Sequence, residues 1–456
     1  MFYYDPMMTA TCQVQRAGEK AVLAPVRFPS GGSAEFDRQL EALRPLLHGY
    51  ADLLSPTMLG DPLPEADAAL FPELIGEAYR QLAAFQSLER PVLILTSEFG
   101  TMSMWDWEIA AYLKSSGVGV LAPYTLEQAQ AICRTLGVRR ALRKTKFLVF
   151  QDNPGAGFQA SIFKRFYWWE DECTQRMLDR FGVSIEKKSF KRLGEEAALI
   201  PEEEVDAAIA AHPLPGNGLG ARPVRSAMRV YLALKRELDA DGAIGAMGIN
   251  CLNESHFSDS TPCLAWDLLY SERGLIWGCE ADTVSMLTKF VLHRSLGVPI
   301  MMTNLYPFLM GQAALKHEKI SHFPDVPQPE NCLLVAHCGY LGVVPRAFAK
   351  EWTLKEKVLG IVNDNATAID ARLPEGDITL AKLSPGMDRL IVVEGRLEGY
   401  VQYPGSDCRN GALLRVGDGH KLMRELPSHH ALLMTGHHGA GLLSLAQVFG
   451  LEVAWI

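Results

Sequence analysis

The sequence predicts an α/β protein, with two parallel-sheet regions followed by a β-rich C-terminal domain. Three observations carry that prediction. Through roughly the first 300 residues, uninterrupted apolar runs of strand length alternate with segments of helical period, as strands buried on both faces do. Between Ala243 and Thr303, three such runs are separated by two helical segments and short loops. After Pro324–Asn331 (PDVPQPEN) the helical period fades, and short runs alternate with turns. The expected divisions are residues 1–145, 146–304 and 305–456.

Ala21–Val26 (AVLAPV) is the first expected strand. Glu35–Ala51 follows as a helix with Phe36, Leu40, Leu43 and Leu47 on one face. Pro91–Thr96 (PVLILT) and Gly117–Leu121 (GVGVL) are strands, with a helix over Ile109–Lys114 between them. Thr125–Leu136 is helical, capped by Thr125 with Gln128 three residues on. The basic stretch Arg139–Lys146 closes the first region, and Lys146–Phe150 (KFLVF) opens the second. Pro213–Arg225 (PLPGNGLGARPVR) is expected to be loop. Ala243–Cys251, Gly274–Cys279 and Val298–Thr303 are strands joined by helices Thr261–Tyr270 and Thr283–Leu296, so the three should be parallel neighbours. The last third offers strands at Val358–Asn363, Ile378–Leu383, Arg389–Glu394, Ala412–Val416 and Ala431–Met434. A helix near Leu442–Phe449 and a strand at Glu452–Ile456 follow.

Composition narrows the function. At 456 residues, 48% hydrophobic and 21% charged, disorder, collagen and coiled coil are excluded as whole-chain descriptions. With 44 Lys+Arg against 53 Asp+Glu, the net charge of −9 gives no general electrostatic reason to hold nucleic acid or an anionic membrane. No apolar run reaches ~18 residues, and MFYYDPMMTATCQ lacks the basic and apolar regions of a secretory leader. The nine cysteines are odd in number, irregular in spacing and without a C-x-x-C, the pattern of reduced thiols in a cytoplasmic protein.

Ligands of open parallel sheets gather outside the carboxyl ends of the strands. Glu254, Glu280 and Asn304 follow the three strands of the 243–303 unit, and neighbouring strands ~4.8 Å apart let such side chains converge. Glu280, in C-E-A-D between strand and helix, is the leading candidate, while Asp282 also suits a helix N-cap. Glu254, in N-E-S-H-F-S-D, reads equally as a solvated loop residue. Five histidines cluster late in the chain: His420, His429, His430, His437 and His438. Alternation puts His430, Leu432 and Met434 on one strand face. Imidazole with carboxylate makes an N/O donor set suited to Mn²⁺, Mg²⁺, Co²⁺ or Zn²⁺, and the spacing is not that of a zinc finger. His337, in V-A-H-C-G, is a ligand candidate or a buried structural imidazole. Trp105 and Trp107 follow PVLILT, and Phe166–Trp169 form an aromatic run. Such rings stack on sugar C–H faces or build cores and subunit interfaces. Lys187–Arg192 (KKSFKR) reads as a solvated face or as a contact for an anionic substituent. No G-x-G-x-x-G, P-loop or G-x-S-x-G is present.

On these residues the chain resembles the L-fucose isomerase-like family, within the L-fucose and L-arabinose isomerase superfamily. The likeness runs over nearly the whole chain. It rests on W-E-I-A-A-Y-L from Trp107, Cys251–Cys263 with C-E-A-D-T at 279–283, V-A-H-C-G at 335–339, and S-H-H-A-L-L-M-T-G-H-H-G-A-G-L near the C-terminus. The resemblance implies two Rossmann-like domains and a β-rich third. It implies a cytoplasmic homo-oligomer, often a hexamer, whose sites borrow residues from a neighbouring subunit. Trp105, Trp107 and His437 are then the substrate-binding candidates. It places Glu280 at the family's first metal carboxylate and His430 at its histidine ligand. The family's second carboxylate, an aspartate, is Asn304 here; its amide oxygen can coordinate but brings no charge, so metal affinity should fall unless His337 or Glu254 compensates. The implied activity is aldose–ketose isomerisation of a small sugar through a cis-enediolate, with Mn²⁺ as cofactor and Glu280, Glu254 and Asp282 as catalytic carboxylates. An epimerase or lyase acting on a modified sugar would share that enediolate. A non-catalytic sugar-binding relative is the reading that Asn304 supports.

Overall fold

The computed structural model describes residues 20–29, 34–74, 76–153, 165–216, 218–251, 254–308, 326–336, 346–357, 363–401 and 411–456. Two open sheets are followed by one that closes on itself. The first is parallel throughout, built from β1 (Ala21–Arg27), β2 (Ala51–Leu53), β3 (Thr57–Met58), β4 (Ala68–Phe71), β5 (Val92–Ile94) and β6 (Val120–Leu121). Its order is β2-β1-β4-β5-β6, with β3 beside β1. Each face carries its own core. On one lie Phe36, Leu40, Leu43 and Leu47 of helix Ala34–Leu47, together with Ile132 and Leu136. On the other lie Phe28, Phe71, Phe85 and Leu113. The apolar stripe read from spacing is therefore the buried face.

Thr125 caps its helix as expected: its Oγ1 accepts from Gln128 N, and Gln128 Oε1 accepts in return from Tyr124 N. The helix then continues to Leu142, through the first half of the basic stretch. Arg139 explains why that stretch is not a solvated linker. Its guanidinium donates to the carbonyls of Val448 and Asp67, tying the first region to the C-terminal helix Gly439–Phe449. Val448 itself lies in the first region's core.

The second sheet holds β7 (Lys146–Phe150), β8 (Ser184–Lys188), β9 (Ile244–Ile249) and β10 (Ile276–Gly278), in the order β10-β9-β7-β8, again all parallel. β8 takes in Lys187 and Lys188 of the KKSFKR stretch, Ser189 caps helix Phe190–Ala198, and that helix takes the rest. The Pro/Gly stretch is loop only to Gly220. Helix Ala221–Ala240 starts inside it, with Pro223 in the first turn, where a missing N–H costs no helical bond. Helix Thr283–Leu296 has the expected bounds and packs tightly on β9 and β10. A Cβ at Gly278 would lie 2.4 Å from Met286 Cγ, so only glycine admits that approach.

The third sheet corrects one expectation. The strand foreseen at Val298–Thr303 is β11 (Met301–Pro307), and it does not join β9 and β10 as a third parallel neighbour. It enters a closed ring with β12 (Cys332–Ala336), β15 (Gly376–Leu383), β16 (Arg389–Val401), β17 (Gly411–Val416) and β18 (His430–Thr435), once the separate antiparallel pair β13 (Glu351–Glu356) and β14 (Thr367–Arg372) is set aside. The ring order β15-β18-β11-β12-β17-β16 closes through β15–β16 and is antiparallel throughout. β19 (Glu452–Trp455) lies parallel to β16 outside the ring. A strand buried on both faces shows the same unbroken apolar run in either kind of sheet, so the run could not reveal which sheet it enters. The sheet change thus falls before Met301, ahead of the expected division after 304. The strand foreseen at Val358–Asn363 lies, but for Asn363, outside the described residues. No helix among the described residues is long and apolar enough to cross a membrane.

Candidate metal centre

The carboxyl edge of the second sheet faces the barrel where β11 and β18 run side by side. Glu280 arrives there on a short turn, Cys279–Ala281, directly after β10. Glu280 and Ala281 both take left-handed backbone angles, φ 53° and 50°, which residues with a Cβ rarely adopt. The turn is held by two indoles: Trp168 Nε1 (3.3 Å) and Trp169 Nε1 (2.8 Å) donate to the Glu280 carbonyl. Thr283 Oγ1 in turn donates to the Trp168 carbonyl at 2.7 Å. Half of the F-Y-W-W run is therefore a buried clamp on Glu280.

His430 begins β18, and its whole ring is buried. Its Nδ1 donates to Asp282 Oδ2 at 2.8 Å, which turns Nε2 toward Glu280, 3.9 Å from Oε2. Among the described residues Nε2 has no hydrogen-bond partner. Asn304 of β11 stands directly opposite His430 in the register, so their side chains share a face. Its Oδ1 is likewise without a hydrogen-bond partner among the described residues, while its Nδ2 donates to Tyr306 Oη at 3.5 Å. His429, at the strand's lip, brings a further nitrogen: ligand atoms of Glu280, His429 and His430 lie within 4.8 Å of one another. Its ring centroid is 4.0 Å from that of His430.

Asp282 serves a different purpose from Glu280. Its Oδ1 accepts from Ser285 N, the N-cap bond of helix Thr283–Leu296. Its Oδ2 accepts from Ser285 Oγ, Lys382 Nζ (2.9 Å) and His430 Nδ1. Lys382 also donates to Ser285 Oγ, and both charged side chains are fully buried. Burial alone would raise the Asp282 carboxyl. The adjoining Lys382 ammonium and the His430 bond outweigh it and hold the carboxyl well below the usual range. A carboxylate behind the second nitrogen of a ligand histidine fixes its tautomer and aim, the arrangement found around metal-bound imidazoles.

Glu254 is buried rather than solvated. It accepts from the backbone N–H groups of Asp152 and Asn153 at the end of β7, and burial raises its carboxyl against those bonds. Cys251 and Cys279, at the ends of β9 and β10, touch with their sulfurs 3.4 Å apart, so the Glu254 and Glu280 loops adjoin. The remaining candidates stand elsewhere. His437 lies two residues beyond the far end of β18, whose own length from His430 is roughly 17 Å, and its half-exposed ring is 3.9 Å from Glu394. Trp105 and Trp107, 81% and 67% exposed, face solvent in the first region. His337 lies outside the described residues.

Sequence reasoning missed Lys382 and the role of the two indoles. The lysine had left a trace: Ile378, Leu380 and Lys382 share one phase of a strand, and a charge in an otherwise apolar phase calls for a buried partner. The donor set fits a divalent ion: imidazole nitrogen, carboxylate oxygen and amide oxygen, two of them on buried atoms that make no hydrogen bond among the described residues. No protein-family model matches the chain, and no curated protein matches it.

Proposed function

We propose that this chain is a metal-dependent aldose–ketose sugar isomerase acting through a cis-enediolate. The observation that carries the reading is the approach of Glu280 and His430, distant along the chain, to 3.9 Å, with Asp282 orienting the imidazole from behind. Glu280, His430 and His429 would hold the ion, with the Asn304 amide oxygen beside them. A divalent ion bound there would polarise the O1 and O2 oxygens of an open-chain sugar and favour the enediolate; Mn²⁺ is the first to try.

The chain's own residues divide the remaining work. Asp282 is engaged by four donors and buried, so it positions His430 and carries no proton to substrate. Glu254, raised by burial and adjoining the Glu280 loop, is the carboxylate left to move a proton between C1 and C2. Both parallel sheets would then be Rossmann-like in use, with ligand at the carboxyl edge of the second. Trp105 and Trp107 would serve a neighbouring subunit's site in a cytoplasmic homo-oligomer, where their exposure in a single chain would be covered.

A panel of aldoses and ketoses incubated in deuterated water, with and without Mn²⁺, tests the reading. Metal-dependent deuterium at C1 or C2 without cleavage supports it. Cleavage products, or inversion at another carbon, would indicate the lyase or epimerase that shares the enediolate. Asn304 favours a second reading, a sugar-binding protein without turnover, because an amide brings the ion no charge and cannot act as a base. Calorimetric binding of a sugar, with no deuterium incorporated, would favour that reading instead.

A further inference from the structure

The contact between Cys251 and Cys279 has a chemistry of its own. The two sulfurs stand 3.4 Å apart, and both residues are thiols. A disulfide needs ~2.05 Å, so closing the bond requires an approach of only ~1.4 Å. The pair is also asymmetric: Cys251 is half-buried and Cys279 is buried. An oxidant can reach the first, while the second waits behind it, the arrangement of an attacking and a resolving thiol. The other described cysteines (Cys133, Cys173, Cys263 and Cys332) are all buried.

We propose that Cys251 and Cys279 form an oxidisable pair that closes to a disulfide in the presence of a peroxide and so displaces the Glu280 turn. The Cys251 thiolate attacks one peroxide oxygen, the O–O bond breaks, and hydroxide leaves, giving a sulfenic acid. The Cys279 sulfur then attacks the Cys251 sulfur, the S–O bond breaks, and water leaves with the Cys279 proton. Two electrons pass from the thiols to the peroxide. The new bond ties the end of β9 to the residue just before Glu280. That residue cannot move alone. The left-handed pair Glu280–Ala281 follows it, and the Trp168 and Trp169 indoles are bonded to the Glu280 carbonyl. A shift at Cys279 therefore reaches the indole environment and the aim of the Glu280 carboxylate together.

The test uses the full chain, without added metal, so that its outcome is separate from that of the isomerase reading. Protein purified with reductant is treated with hydrogen peroxide, alkylated and digested. Expected is a linked peptide pair containing Cys251 and Cys279, about 2 Da lighter than the two thiol peptides and released by dithiothreitol. Tryptophan emission should change with the same time course, revert on reduction and stay constant in Cys251→Ser. That position is half-buried, and circular dichroism of the variant checks that the fold is kept. Recovery of Cys251 as sulfinic acid with Cys279 still alkylatable would overturn the pairing. A linked peptide with unchanged emission would overturn the coupling to the Glu280 turn.

Discussion

The carboxyl edges of the two parallel sheets meet different surroundings. The first ends in solvent, with Phe99, Trp105, Trp107 and Tyr124 exposed around β5 and β6. The second ends against the barrel, which brings His430, Asn304 and Lys382 to Glu280 and Asp282. Both sheets are all-parallel and covered by helices, so strand convergence alone does not make a site. What differs is the cover. A low-dielectric roof makes each charge beneath it depend on a partner, and that dependence fixes geometry. The exposed edge has aromatic surface and no such constraint.

The comparison breaks most sharply at Asp282. Asp282→Ala leaves Lys382 buried without its counter-ion, and the chain should lose about 3–5 kcal/mol in urea denaturation. Pairing it with Lys382→Met should recover most of that loss. A single mutant as stable as the wild type would mean that the network is incidental.

Acid should act on the same half of the molecule next. His293, on helix Thr283–Leu296, is drawn down by burial from 6.5 to about 4. Between those values the unfolded chain binds a proton that the folded chain refuses, so stability falls with pH by about 3 kcal/mol across the window. Hydrogen exchange should open the second region before the first, and His293→Gln should flatten the slope. Asp282, held below the usual range, stays ionised meanwhile.

Glu280→Gln should cut turnover by about 10²-fold or more and abolish the gain in melting temperature on adding Mn²⁺, with circular dichroism unchanged. Asn304→Asp restores a second charge beside His430, and calorimetry should show Mn²⁺ binding about tenfold tighter. The smallest effect belongs to the open edge. Trp105→Ser and Trp107→Ser should each shift monomer stability by less than about 0.5 kcal/mol, while sedimentation would show any assembly weaken.

Legibility from sequence followed the same divide. Helix Thr283–Leu296 was readable to the residue, because Asp282 and Gly297 mark its ends and apolar spacing fills its length. Glu280 was readable as a ligand candidate from its place just past a strand, and His430 from the cluster of histidines around a short apolar strand. β8 was not, because an edge strand reading SIEKK shows little apolar alternation. The partnership of β11 was hidden, since pairing partners leave no mark in a run buried on both sides. Asp282 looked like a cap and a catalyst with equal reason. The positions of Lys382 and His430, a hundred residues and more away, separate the two, and no local pattern encodes those distances.

The ring of six strands has a consequence for biosynthesis. β11 pairs with β18, and the first core includes Val448. A ribosome that has emitted the chain as far as β16 therefore holds two parallel sheets ready to form and a barrel that cannot yet shut. Contacts so distant in sequence form slowly. In that interval the edges of β11 and β15 lie bare, and a chaperone that shields extended edges would be needed most just before His430 emerges.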